Sequence, residues 1–135
     1  MNIIKNILAV VLGIFIGGFV NMAIINNGAS FIPPPEGVNP ADIESIKENM
    51  YLYTPLHFIV PFLAHAIGTL VGAIIVSFVA VSHRMYLSIG IGVFFLIGGI
   101  TMVVLLPSPM WFNILDLGLA YIPMGLLGWK ISGKD

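Results

Sequence analysis

Two histidines and one aspartate are the side chains of this sequence that could carry acid–base chemistry in apolar surroundings. His57 and His65 stand eight residues apart near the start of one apolar run, and Asp116 follows Asn113 by three near the start of another. On helices, both spacings keep the two members of each pair roughly on one face, with about 12 Å between the histidines. Asn21 near the outer end of the first apolar run and Thr101 in the outer third of the third fall at a similar depth. A carboxylate at mid-membrane costs about 2.5–3.5 kcal/mol, so Asp116 is expected to meet water or a partner such as a histidine.

Two arrangements of this layer are open. In the first, Asn21, His57, His65, Thr101, Asn113 and Asp116 form an outward-facing hydrated pocket, with Asp116 and His57 as proton or cation sites and His65 deeper along the path. In the second, Asp116 and His57 lie in the headgroup zone and His65 is a packed core histidine hydrogen-bonded across helices. No metal site is expected, because two histidines eight apart on one straight helix cannot bind one ion together. No cofactor is expected either. The sequence has no Gly-x-Ser-x-Gly, no His-Glu-x-x-His, no Walker loop and no close pair of membrane carboxylates, and an enzyme is not the expected reading.

The elements that must position these residues are four apolar helices. Of 135 residues, 59% are hydrophobic and 8% are charged, with a mean hydropathy of +1.06, too little charge to cover a water-facing surface. Four runs of the length needed to cross about 30 Å of hydrocarbon account for most of the chain. They are placed at 7–25, 55–81, 85–106 and 111–129, in one domain over 1–135 with a loop at 26–54. The fold class expected is an all-α membrane protein, an up-down bundle of four transmembrane helices with a short extracytoplasmic cap helix in the first loop. Net charge is −1 with five scattered Lys and Arg, which gives no footprint for nucleic acid. Without cysteine there is no disulfide and no thiolate metal site.

The first run, after Lys5, is longer than a signal-peptide core and lacks a convincing cleavage site, so it is read as a retained helix. The loop changes to turn formers, with Pro33-Pro34-Pro35 and then Asn39-Pro40 as a helix-start signal. On the helix that follows, Ile43, Ile46, Met50 and Tyr53 share one face, suited to lying on the bundle. Thr54-Pro55 repeats the start signal for the second span. Trp111 and Trp129 are about 27 Å apart on a continuous fourth helix, the separation of two interfaces, and Pro123 is a candidate kink.

Gly13 and Gly17 on the first helix, and Ala64, Gly68 and Gly72 on the second, recur every four residues and make smooth faces for close helix contact. A faint echo of Ile16-Gly17-Gly18 in Ile97-Gly98-Gly99, and of Leu70-x-Gly72 in Leu126-x-Gly128, would correspond to a duplicated hairpin. Lys5, Arg84, Lys130 and Lys134 fall on one side of the four spans and Lys47 on the other, so the positive-inside rule puts both termini in the cytoplasm and loop 26–54 outside.

The order of Pro34-Pro35-x-Gly37-x-x-Pro40, a glycine-spaced second helix, Pro107-x-Pro109-x-Trp111-Phe112, and Pro123 before Gly128 resembles a family of small, uncharacterised bacterial four-helix integral membrane proteins. The resemblance covers nearly the whole chain through short turn and packing motifs. It implies the architecture and a bacterial inner-membrane location, and it carries over no catalytic or binding residue. Two function classes follow from the residues: a structural or accessory protein that binds another membrane protein or lipid, and a small channel or transporter that gains an outward-facing polar pocket by forming a homo-oligomer.

Overall fold

The computed structural model describes residues 2–135. Helix α1 is Asn2–Gly28, α2 is Ile43–Glu48, α3 is Ile59–Val79, α4 is Arg84–Leu105, α5 is Met110–Leu119 and α6 is Ile122–Ser132. Four helical spans, Asn2–Gly28, Pro55–Val79, Arg84–Leu105 and Met110–Ser132, are long and apolar enough to cross a membrane. α3 is the central helix and packs against α1, α4 and α6, while α4 packs against α6 and touches α1 only lightly.

The up-down order is fixed by contacts at the two ends. At one end Asn6 Nδ2 donates to Ser82 Oγ (2.9 Å) and Asn6 Oδ1 accepts from Val81 N (3.0 Å). There too, Arg84 donates to Ala80 O (2.7 Å) and to the main-chain oxygen of Asp135 (2.9 Å). Both ends of the chain and the α3–α4 turn therefore share one end of the bundle. The turn is sharp because Ala80 leaves α3 with extended backbone and His83 takes a left-handed conformation (φ 53°). At the opposite end Met50, Phe58 and Phe112 form a buried cluster flanked by Ile46, Tyr53, Phe62 and Leu106.

That cluster seats the loop as a cap, with changes from the sequence expectation. The cap helix begins at Ile43, three residues beyond Pro40. Asn39 instead closes a local turn by accepting from Ala41 N (3.0 Å), and Asp42 is the residue that caps the helix, accepting from Glu44 N (3.1 Å). Ile46, Met50 and Tyr53 face the bundle as their spacing requires, but Ile43 is 43% exposed. Pro55–Phe58 is a short 3₁₀ segment before α3.

The α1–α3 contact is made through glycine on both sides. A Cβ on Gly13 would stand 2.8 Å from the Gly72 carbonyl oxygen, and one on Gly72 would stand 2.7 Å from that of Gly13. One turn along, Gly17 and Gly68 repeat the relation at 2.7 and 2.9 Å. Separations this short admit no side chain, so backbone meets backbone, a contact that lets van der Waals packing hold helices together in lipid. Ala64 continues the α3 stripe, fully buried.

The fourth span is interrupted beside Pro123, the candidate kink, and the interruption is a full break in the helix. It is broken at Ala120–Tyr121, and Pro123 occupies the first turn of α6. Proline has no N–H for the carbonyl four residues earlier and its ring clashes with it, so the interruption lies N-terminal to Pro123. The chain turns at Tyr121 (φ −118°, ψ −82°) and re-forms helix at once.

Candidate functional site

The break in the fourth span builds the polar site. On α3, His65 follows the 3₁₀ entry by less than two turns, and on α5 Asp116 lies one turn before the break. His65 Nδ1 is 2.8 Å from Asp116 Oδ1 and 3.0 Å from Oδ2. Both neighbours are carboxylate oxygens, which accept, so Nδ1 carries a proton and donates. Tyr121, placed by the break, donates its hydroxyl to Asp116 Oδ2 (3.2 Å) and stacks its ring on the His65 imidazole with centroids 5.7 Å apart.

The site is closed on one side and less so on the other. The Asp116 side chain is 5% exposed and that of His65 is 21% exposed. Two glycines of α4 make room for Tyr121. A Cβ on Gly99 would stand 2.5 Å from the tyrosine hydroxyl, and one on Gly92 would stand 2.7 Å from the Tyr121 carbonyl oxygen. Gly92 thus receives the broken backbone, whereas Gly90, two residues earlier on α4, has nothing within 4 Å.

Of the six residues assigned to a polar layer, His65 and Asp116 meet directly and Asn113 lies one turn before Asp116. Asn113 is 9% exposed and donates through Nδ2 to Ser108 O (3.3 Å), bracing the Pro107–Pro109 turn, while its Oδ1 is buried without a protein partner. His57, Asn21 and Thr101 are not part of the cluster. His57 Nδ1 accepts from Thr54 N (2.9 Å), which makes it the cap of the 3₁₀ entry to α3. Asn21 packs in the α1–α3 seam, where its Cβ lies 2.9 Å from the position of a Cβ on Gly68. Thr101 is exposed on α4 and returns its hydroxyl to Ile97 O (2.9 Å) of its own helix. The layer of six thus resolves into a pair, a brace, a cap, a seam residue and an outward threonine.

Two members of the interior polar set were not read from the sequence. Tyr121 looks like an interfacial aromatic by type, and only its place two residues before Pro123 signals that a helix break presents it. Thr69 is 1% exposed with its hydroxyl unpartnered by protein. It lies four residues after His65, and that i, i+4 relation is the signal available.

The arrangement holds an imidazole by its Nδ1–H against a buried carboxylate and leaves Nε2 as the basic nitrogen. Such a pair can bind a proton, and it can hold two helices and a helix break in register. Set against family models, curated proteins and solved structures, the chain matches none of them.

Proposed function

We propose that this chain is a multi-pass protein of a bacterial inner membrane that acts as a structural or accessory subunit, binding another membrane protein or lipid. The observation that supports this best is the division of its glycines. Those turned inward are filled by a neighbouring helix, but Gly18 on α1 and Gly90 and Gly98 on α4 have nothing within 4 Å. A glycine weakens a helix and offers lipid no side chain to pack on, so an outward pair two turns apart is best used by another helix approaching closely. Phe94, between Gly90 and Gly98, is 49% exposed and gives such a helix an anchor.

The orientation belongs to the same reading. Lys5, Arg84, Lys130 and Lys134 gather at the end that carries both termini, and Lys47 lies in the cap at the other. By the positive-inside rule the termini are cytoplasmic and the cap is extracytoplasmic. The resemblance to small bacterial four-helix membrane proteins points the same way.

Native mass spectrometry after mild extraction tests the reading. The wild-type chain is expected to carry a defined second polypeptide or retained lipid, and a G90L/G98L variant is expected to lose it. Recovery of free wild-type chain, without partner or lipid, would sink the proposal.

A further inference from the structure

Within residues 6–28, 59–79, 87–105 and 110–129, the spans without their charged or polar end turns, the titratable side chains are His65, Asp116 and Tyr121. All three meet at one point. Acids and bases are rare in membrane helices because each is costly there, and where they occur they commonly mark ion or proton pathways. α1 and α4 bring no acid or base to this point over those stretches.

From that point a polar seam runs along α3. His65, Thr69, Ala73 and Ser77 follow one another every four residues and so form one stripe. At the height of Ala73, Ser88 of α4 donates to the Ala73 carbonyl (3.1 Å), and at the height of Ser77, Ser132 of α6 lies 2.8 Å away, hydroxyl to hydroxyl. Thr69, Ser77 and Ser88 are each at most 1% exposed. His65 to Ser77 is about 18 Å of helix, and Asn113 adds about 4.5 Å beyond Asp116, together most of a hydrocarbon core about 30 Å thick. Thr69 Oγ1 and Asn113 Oδ1, on either side of the His65–Asp116 pair, are buried with no partner in the chain. Buried polar atoms of this kind are the usual partners of internal water.

We propose that this seam is a proton path across the membrane, with the His65–Asp116 pair as its relay and water as the carrier between hydroxyls. A proton enters at Nε2 of neutral His65 and makes the imidazolium. The imidazolium keeps its Nδ1–H on the Asp116 carboxylate, which the Tyr121 hydroxyl also holds, and the negative charge stabilises it. Nε2 then gives its proton to a water at the level of Thr69, which leaves neutral imidazole with Nδ1–H, the starting tautomer. Waters between Thr69, Ser88 and Ser77 carry the charge onward. One proton moves per cycle and no electron changes hands. The role is independent of any partner bound on the outer face.

The test uses the purified full chain in liposomes holding a pH-sensitive dye, with a potassium gradient and valinomycin to drive proton entry. Internal acidification faster than in protein-free liposomes is expected, with loss of that excess in D116N and in T69V. The threonine hydroxyl has no protein partner, so T69V leaves the fold intact and separates a conducting seam from a merely structural one. Wild-type liposomes no more permeable than empty ones would overturn the proposal. So would full conduction by D116N, or by T69V, since the first removes the charge that stabilises the imidazolium and the second interrupts the path.

Discussion

The carbonyl oxygen of Tyr121 lies where α4 has no side chain, 2.7 Å from the position a Cβ on Gly92 would take, with Ile122 Cα at 3.0 Å. The atoms in the way are backbone, so G92A must push α6 off α4. We expect it to cost about 1–3 kcal/mol, as overpacking does, seen as a lower midpoint of unfolding in detergent. G90A, two residues away on the opposite side of α4 and open to the outside, should be neutral or stabilising by up to about 1 kcal/mol, as alanine is the better helix former.

The α1–α3 seam makes a second matched pair. In G17V the new Cβ meets the Gly68 backbone and must part the helices, whereas a Cβ at position 18 meets nothing within 4 Å. The first should be destabilised by about 1–3 kcal/mol and the second little changed. Disulfide trapping between cysteines placed along α1 and α3 would report whether the helices have separated.

Removing one member of the His65–Asp116 pair should be worse than removing both. H65A leaves a carboxylate that is 5% exposed with Tyr121 alone, and breaking a buried pair in this way costs about 3–5 kcal/mol. In H65A/D116N the uncompensated charge is gone, so the double variant should recover part of the loss. A double-mutant cycle on unfolding in detergent measures the coupling, and additive losses would contradict the pairing.

The cap should loosen in alkali through Tyr53. Burial pushes its hydroxyl above the ordinary tyrosine value of 10.0, so the docked cap favours the protonated form. That contribution is fully present below pH 10, the value in the undocked chain, and is lost as pH rises through the higher docked value. Tyr53 packs on Phe58, and Phe58 on Trp111, so Trp111 fluorescence should follow the transition. In Y53F the phenolic step should disappear.

The elements that sequence places well are those set by composition along the chain. Four apolar runs, the turn at Ser82 and the close-packing stripe of Gly68 and Gly72 depend on residue types at fixed spacing, and they are present. Depth puts Asp116 in a layer with both histidines and calls for water or a histidine beside it; that the partner is His65 and not His57 comes from the structure. What depth does not give is direction around the helix axis. α4 is apolar on every side, so no stripe tells that Thr101 faces outward while Ser88 and Gly92 face in. The helix start at Thr54-Pro55 is legible, but His57, expected as a proton or cation site or in the headgroup zone, has its ring engaged with Thr54 N at that start. Tyr121 escaped because the site depends on a break whose cause, Pro123, stands two residues further on.

The Asn6 clasp on Val81 and Ser82 has a bearing on biogenesis. It and the glycine contacts of α1 with α3 involve only residues up to Ser82. The first hairpin can therefore close while the rest of the chain is still being synthesised. Asp116 and Tyr121 lie beyond that hairpin, so the partner of His65 arrives only with the second hairpin.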